Sequence, residues 1–374
     1  MTTDHSLYMH RCLELAKLGA GNVAPNPMVG AVLVHNSRII GEGYHQQYGQ
    51  PHAESNCIGS VKEEDKHLIS GATMYVSLEP CAHYGKTPPC ADLIIKHKIP
   101  KVVIGSRDPF AQVNGKGIEK LQAASIKIEV GVLENECREL NKRFFTFHEQ
   151  HRPYIILKWA QSVNQKIAAH PQPFPKGRET ESVNLKGRLH ISNDFTNRVV
   201  HKWRSEEAAI LVGTNTALMD DPQLTTRLWT GNNPIRLVVD MDLKLSSSLK
   251  LFDDEAPTIV FNKIKHDLDE SFFENFFMTK RGKGLFFYQV TEDIGLVHQI
   301  INALYQLKIQ SVIVEGGSRL LQSFIDEGMW DEARVITNRQ LTIGNGLSSP
   351  ILQDCQKIEE INFTTDTIET FKLV

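Results

Sequence analysis

Two consecutive α/β domains are what this sequence predicts, and three observations carry that prediction. Short β-branched runs, among them Val29-Gly30-Ala31-Val32-Leu33-Val34 and Lys101-Val102-Val103-Ile104-Gly105, alternate with stretches whose apolar residues recur at helical spacing. The length of 374 residues exceeds a typical single domain. A second alternating series begins at Tyr154-Ile155-Ile156-Leu157-Lys158, directly after an Arg152-Pro153 interruption. The boundary is therefore expected near 149–152, dividing the chain into 1–149 and 150–374.

Residues 5–20 have the helical period, and Ala24-Pro25-Asn26-Pro27 breaks it. Val29–Val34 is a buried strand, and Ile39 to Gly43 a second one after the His35-Asn36-Ser37 turn. His52 to about Val61 is expected to be a helix with His52 and Glu54 near its start. Ala72–Leu78 is the third strand and runs straight into Glu79-Pro80-Cys81; Cys90–Lys98 is a helix, Lys101–Gly105 a strand, Gly117–Ala124 a helix and Ile126–Val130 a strand. Glu134 to about His148 reads as one polar helix. In the second half Ala208–Gly213, Ile235–Asp240, Thr258–Asn262 and Ser311–Glu315 read as strands, whereas 170–190 and 262–290 are polar stretches expected to be loops or insertions. No internal repeat is visible.

Composition narrows the class. Forty-one per cent apolar residues and moderate charge describe an ordinary soluble globular protein, and a formal net charge of −3 gives no basic footprint for nucleic acid. No apolar run approaches the ~20 residues of a membrane span, and the first residues lack the charged start and apolar core of a signal peptide. The six cysteines show no disulfide-framework spacing, so a reducing, cytoplasmic setting is expected. Cys12 and Cys57 are expected to pack as small hydrophobes.

The residues that carry chemistry are His52-Ala53-Glu54, then Pro80-Cys81 and Cys90. One imidazole and two thiolates suit a tetrahedral zinc ion and leave its fourth position for water. Glu54, two residues after the histidine, is near enough to carry protons without being a ligand. This is the arrangement of zinc nucleobase deaminases, which replace an exocyclic amine by a carbonyl oxygen. His83, between the cysteines, would instead close a purely structural site if it supplied a fourth ligand. The spacer of eight residues between Cys81 and Cys90 departs from the usual Cys-x-x-Cys.

Taken with its surroundings, that spacer is informative. Pro25-Asn26-Pro27-x-Val29-Gly30, Gly43-Tyr44-His45, Pro51-His52-Ala53-Glu54 and Leu78-Glu79-Pro80-Cys81-x-His83-x-Gly85-Lys86-Thr87-Pro88-Pro89-Cys90 together resemble the bifunctional riboflavin-biosynthesis deaminase–reductase family. The resemblance implies a cytidine deaminase-like three-layer α/β/α domain followed by a dihydrofolate reductase-like α/β domain. It implies that His52, Cys81 and Cys90 hold zinc, that Glu54 shuttles protons, and that Asn26, His45, Lys86 and Asp108 contact substrate. The first reaction would remove the 2-amino group of 2,5-diamino-6-ribosylamino-4(3H)-pyrimidinone 5′-phosphate. Asp108-Pro109 matches the family, but Phe110 and Ala111 stand where Asn-Pro is usual.

In the second half the matching strings are Val212-Gly213-Thr214-Asn215-Thr216-x3-Asp220-Asp221-Pro222-x-Leu224-Thr225-x-Arg227 and Val314-Glu315-Gly316-Gly317-Ser318-x-Leu320. The resemblance implies reduction of the ribosyl group to ribityl with NADPH. Thr216, Asp220 and the run Gly317, Ser318, Arg319, Leu320, Leu321, Gln322 and Ser323 would meet the cofactor. Lys158, Arg204, Leu224, Arg227 and Glu315 would meet the substrate, the arginines suiting a phosphate. The family also implies a homo-oligomer. Asn164 and Gln165 replace its usual Asp-Gly after the first strand, and Arg188 and His190 depart from it before the next helix. Two other readings stay open at this point: an active deaminase with a degenerate C-terminal domain, or a tRNA base deaminase.

Overall fold

The computed structural model describes residues 4–84, 88–110, 113–169, 190–265 and 284–374. Lys86, Arg188 and much of the two polar stretches lie outside the described residues. The chain separates into two compact units, Met1–His151 and Arg152–Val374.

The first unit runs α1 (His5–Lys17), β1 (Gly30–His35), β2 (Arg38–Tyr44), α2 (Ala53–Gly59), a 3-10 segment (Glu63–Gly71), β3 (Thr73–Leu78), α3 (Cys90–Lys96), β4 (Lys101–Ser106), α4 (Lys116–Ala123), β5 (Lys127–Val130), α5 (Glu134–Leu140) and α6 (Lys142–Gln150). Its sheet has the order β2-β1-β3-β4-β5. β1 is antiparallel to β2 and β3, whereas β3, β4 and β5 are parallel. Because side chains alternate along a strand, Ala31, Leu33, Met74, Val76, Val102 and Ile104 face Ala53, Cys57, Ala91, Ile94 and Ile118 of α2 to α4. Val32, Val34, Tyr75 and Val103 face Tyr8, Met9, Cys12 and Leu13 of α1 and Cys137 of α5. Three layers result. Gly43 lets α2 approach the sheet: a Cβ there would lie 2.2 Å from the Cys57 amide nitrogen.

The polar helix expected over 134–148 is two helices with Asn141 between them. The buried Asn141 amide accepts from the Met28 N–H at 2.8 Å and donates to the Met28 carbonyl at 2.9 Å. Nor is its second half polar in effect, since Phe144, Phe145 and Phe147 are buried.

The second unit comprises β6 (Tyr154–Ser162), β7 (Lys166–Ala169), α7 (Asp194–Glu206), β8 (Ala209–Gly213), α8 (Thr214–Asp220), β9 (Ile235–Val239), β10 (Thr258–Asn262), β11 (Leu285–Gln289), α9 (Leu296–Gln306), β12 (Ser311–Glu315), α10 (Ser318–Asp326), β13 (Glu332–Asn338), β14 (Gly346–Ser348), β15 (Cys355–Phe363) and β16 (Asp366–Leu373). The main sheet has the order β11-β10-β9-β8-β12-β6-β13-β16-β15. β12 is inserted between β6 and β8 and is parallel to both. Ile155, Leu157, Leu211, Leu237 and Val314 pack under α9 and α10 on one face. Ile156, Ile210, Val212, Val238 and Ile313 pack with Ala217, Leu224 and Trp203 on the other.

One expected loop is a strand. Leu285–Gln289 pairs in parallel with β10, its aromatic residues packing where a Lys- and Gly-bearing stretch implied a loop. Among the described residues no helix is long and apolar enough to cross a membrane.

Candidate functional site

In the first unit the ends of three elements meet. His52 is the N-cap of α2 with extended backbone (φ −75°, ψ 170°), Cys81 follows β3, and Cys90 opens α3. His52 Nδ1 lies 3.6 Å from Cys81 Sγ and 3.4 Å from Cys90 Sγ, and one ligand atom from each of the three residues falls within 4.8 Å of the others. Zinc bonds of ~2.3 Å to sulfur and ~2.0 Å to nitrogen at the tetrahedral angle set ligand atoms about 3.5–3.8 Å apart. The observed separations are thus the edges of a zinc tetrahedron, and the donor set fits the ion. The thiols titrate as a pair: Cys81 is pulled down to about 4, first by its contact with Cys90, which is itself pushed up by that contact and by burial. The Cys90 N–H donates to Cys81 Sγ at 3.3 Å, further favouring thiolate there. His83 is not in this cluster; its ring lies 6.2 Å from that of Phe110. Cys57 is wholly buried in the core.

Glu54, in the first turn of α2, is 3 % exposed, and burial followed by the charge of Cys81 pushes its carboxyl up. His45 and Asn26 are brought beside the ligands. The His45 ring stands edge-on to His52 at 5.2 Å. Its Nδ1 lies 3.1 Å from the Pro51 carbonyl, so the proton sits there and Nε2 accepts from Asn26 Nδ2 at 3.1 Å. Burial lowers the His45 pKa. Asp108, at the end of β4, is pushed up to about 7, first by burial, although it accepts from the Phe110 N–H at 2.8 Å.

Glu79 has a role that the sequence did not reveal. Its buried carboxylate accepts from the N–H groups of Gly117 (3.0 Å), Gly115 (3.1 Å), Ile118 (3.3 Å) and Asp108 (3.4 Å). It thereby caps α4 from outside the helix and fixes the Pro80-Cys81 turn. The approach is close: a Cβ on Gly117 would lie 1.9 Å from the Pro80 carbonyl oxygen.

In the second unit Glu315 ends β12, at the usual ligand position in α/β sheets, and is in register with Lys158 in the middle of the longer parallel strand β6. Arg204 of α7 grips Glu315 with two bonds, Nε–Oε1 at 3.0 Å and Nη2–Oε2 at 2.7 Å, and Lys158 Nζ lies 3.5 Å from Oε2. Burial alone would raise the Glu315 pKa, but Arg204 and then Lys158 outweigh it and hold the carboxyl at about 2. Arg227 joins the group through Thr225: its Nη1 donates to Thr225 Oγ1 at 3.0 Å, and Arg204 Nη1 reaches the Thr225 carbonyl at 3.4 Å. Leu224 is buried with left-handed backbone (φ +55°). His201, which the motifs did not single out, accepts from the Arg227 N–H at Nδ1 (2.9 Å).

Across the adjoining turn, Gly316 and Gly317 have positive φ, and Thr216 Oγ1 accepts from the Gly317 N–H at 2.9 Å. A Cβ on Gly316 would lie 2.6 Å from Thr216, so the turn admits only glycine beside this threonine. The turn opens α10, where the first N–H groups of a helix have no partner within it, a donor set suited to a pyrophosphate. The expected run of contacts along α10 is not uniform. Leu321 is fully buried in the core, because it sits on the inward face of α10, and its side chain does not reach a ligand. Gln322 is bound to Asp326 and to the Ile351 backbone, and Ser323 Oγ to the Arg319 carbonyl. Ser318 and Arg319 lie in the first turn with Leu320, which is half-buried against the core, and Asp220 ends α8 on the surface.

Comparison with known proteins agrees with both halves. Residues 2–106 match the cytidine and deoxycytidylate deaminase zinc-binding region, and residues 153–372 match the RibD C-terminal domain. The riboflavin biosynthesis protein RibD of Aquifex aeolicus is 41 % identical over 345 residues, covering 91 % of this chain and 88 % of that protein. The structure of a diaminohydroxyphosphoribosylaminopyrimidine deaminase/5-amino-6-(5-phosphoribosylamino)uracil reductase from Thermotoga maritima superposes with a TM-score of 0.82 at 34 % identity, covering 99 % of this chain and 98 % of the other. Acinetobacter baumannii RibD superposes equally well, with a TM-score of 0.82 at 27 % identity and coverage of 99 % and 98 %. With a zinc-type deaminase site in one unit and a buried Lys-Glu-Arg site in the other, the chain belongs to the RibD family of bifunctional riboflavin-biosynthesis deaminase–reductases.

Proposed function

We propose that the chain performs two consecutive reactions on one phosphorylated pyrimidine: hydrolytic loss of the 2-amino group of 2,5-diamino-6-ribosylamino-4(3H)-pyrimidinone 5′-phosphate, then reduction of the ribosyl group to ribityl, giving 5-amino-6-(5-phosphoribitylamino)uracil. The observation that carries this reading is the His52–Cys81–Cys90 cluster, with His52 Nδ1 at zinc-tetrahedron distances from both sulfurs and buried Glu54 beside it. His52, Cys81 and Cys90 would hold zinc, which when bound lowers the pKa of a water ligand to about 7. Glu54, its pKa raised by burial, would take one proton from the attacking water and give it to the ring nitrogen, then take the remaining hydroxyl proton and deliver it to the departing amine. Neutral His45, with its tautomer fixed by Pro51, orients Asn26 against the pyrimidine edge. Asp108, half-ionised near neutrality, would face the ribose, and Lys86, outside the described residues, the phosphate.

In the reductase unit NADPH would lie on the Thr216–Gly317 turn and supply the hydride. Lys158, Arg204 and Glu315 hold a rigid, charged floor under the ribosyl group, and Arg227 together with Arg204 meets the phosphate dianion. Rigid placement is what hydride transfer needs from the protein. The same reading makes the chain a cytoplasmic homo-oligomer without a nucleic-acid partner, and places the functional boundary at 149/150. Mass spectrometry of the products made from the diaminopyrimidine phosphate, with and without NADPH, tests it. Conversion of amine to carbonyl without cofactor and gain of two hydrogens only with it are expected; no mass change in either arm refutes the reading, and an amine loss with no subsequent reduction restores the degenerate-domain alternative.

A further inference from the structure

Given the reductase reading above, on which this inference rests, we propose that His201 is a positioning residue of the reductase anion site: by accepting the Arg227 amide it holds the Arg227 and Arg204 guanidinium groups toward one phosphate. His201 lies one helical turn before Arg204 on α7, so both side chains leave the same face of the helix. A ring nitrogen that accepts an N–H at 2.9 Å carries no proton, so the proton of the neutral ring is on Nε2. The surroundings enforce that state. Burial, then the positive charges of Arg204 and Arg227, bring the His201 pKa down to about 4, with Lys158 acting in the same direction and Glu315 against it.

The consequence is mechanical. Segment 224–227 starts from a left-handed leucine, Leu224, and is pinned to α7 at two points. The Thr225 carbonyl takes the Arg204 Nη1 bond at 3.4 Å, which is long, and the Arg227 amide takes the shorter bond to His201. The Arg227 guanidinium then turns back onto Thr225 Oγ1 at 3.0 Å, so both arginines converge on one threonine. Counting Lys158, Arg204 and Arg227 against Glu315, and His201 as neutral, the cluster carries two net positive charges. A phosphate monoester carries about −1.5 to −2 near pH 7. A protonated histidine would lose its acceptor and push the two guanidinium groups apart; an uncharged acceptor keeps them together.

Two variants separate this role from simple packing. His201→Asn keeps an acceptor oxygen near the place of Nδ1, and His201→Leu keeps bulk without an acceptor. The readouts are KM for 5-amino-6-(5-phosphoribosylamino)uracil, kcat, the inhibition constant of inorganic phosphate, and the melting temperature. Losing one buried acceptor predicts a rise of roughly tenfold in KM and in the phosphate constant for His201→Leu, with kcat within about threefold. His201→Asn is expected to restore both constants to within about threefold of wild type. Unchanged constants in a folded His201→Leu protein overturn the proposal, as does an asparagine variant that is as impaired as the leucine one. Wild-type NADPH oxidation is measured in the same series: its absence strikes the reductase reading, whereas equal constants in wild type and variant strike only the role of His201.

Discussion

Glu79→Ala is the perturbation whose effect the structure fixes most closely. The carboxylate satisfies four backbone N–H groups at 3.0, 3.1, 3.3 and 3.4 Å, and among the described residues no other side chain caps α4, whose N-cap Gly115 has none of its own. Gly117, Ile118 and Asp108 are buried, so water does not replace the lost acceptor there, whereas the half-exposed Gly115 amide finds solvent. Three stranded donors at about 1–2 kcal/mol each give a loss of about 3–6 kcal/mol. For a unit of this size 1 kcal/mol is roughly 2–4 °C, so the melting transition of the N-terminal unit is expected to fall by about 10 °C. Pro80 and Cys81 follow Glu79 directly, and zinc affinity is expected to drop roughly 10- to 100-fold as the ligand loop loses its anchor. Glu79→Gln keeps one acceptor oxygen for Gly117 and Ile118 but turns an NH2 group toward the other donors, and is expected to lie about halfway. Calorimetry and metal analysis of the purified proteins read both effects. A transition within ~2 °C of wild type, with zinc retained, refutes the capping argument.

Glu54→Gln is expected to keep zinc and the melting temperature while slowing ammonia release by about 10²–10⁴ or more, since it removes the proton carrier and also an unfavourably buried carboxyl; near-normal release overturns the assignment. For Glu315 the sign follows from a folded pKa of about 2 against roughly 4.3 when unfolded. Its stabilisation is therefore complete above about pH 5 and is lost as pH falls toward 2. Glu315→Gln strands Arg204 and Lys158 and is expected to destabilise the C-terminal unit by about 3 kcal/mol at pH 7, the gap to wild type narrowing in denaturation curves taken down to pH 3. Gln165→Gly should stabilise by about 0.5–1 kcal/mol, because Gln165 has φ +57°, where a Cβ is strained; urea denaturation measures it.

The candidate zinc centre was legible because each proposed ligand travels in a short string and the elements that carry them begin or end at those strings. His52 and Cys90 mark helix starts and Cys81 a strand end, all visible as changes of period. What was hidden acts through the backbone across long separations. Asn141 breaks a helix to serve both polar groups of Met28, 113 residues away. Glu79 works on amides 29 to 39 residues downstream, and His201 on an amide rather than a side chain. No spacing rule records such bonds. The C-terminal strands were equally obscure: β15 reads Cys355-Gln356-Lys357-Ile358-Glu359-Glu360-Ile361, almost wholly exposed, and so lacks the apolar alternation that marks a half-buried strand.

Asn164, Gln165 and His190, the reductase departures among the described residues, fall where the fold absorbs them. Asn164 accepts from Ser162 Oγ at 2.7 Å and from the Ile343 N–H at 3.2 Å, as a carboxylate would, and its amide adds a bond to the Ile343 carbonyl at 2.8 Å. The turn after β6 therefore keeps its tie to the 343 loop, and Gln165 takes the left-handed position at a modest strain. His190 is exposed. None of these residues belongs to the largely buried group of Lys158, Arg204, Glu315 and His201, which the exposed Arg227 adjoins. A domain kept only for its shape gains nothing from such a group, because desolvating charges offsets their attraction and apolar residues of similar volume pack there as well or better. A surplus of positive charge in that buried place is costly until an anion arrives. Its presence therefore favours a working reductase over a scaffold, as the proposed phosphate site requires.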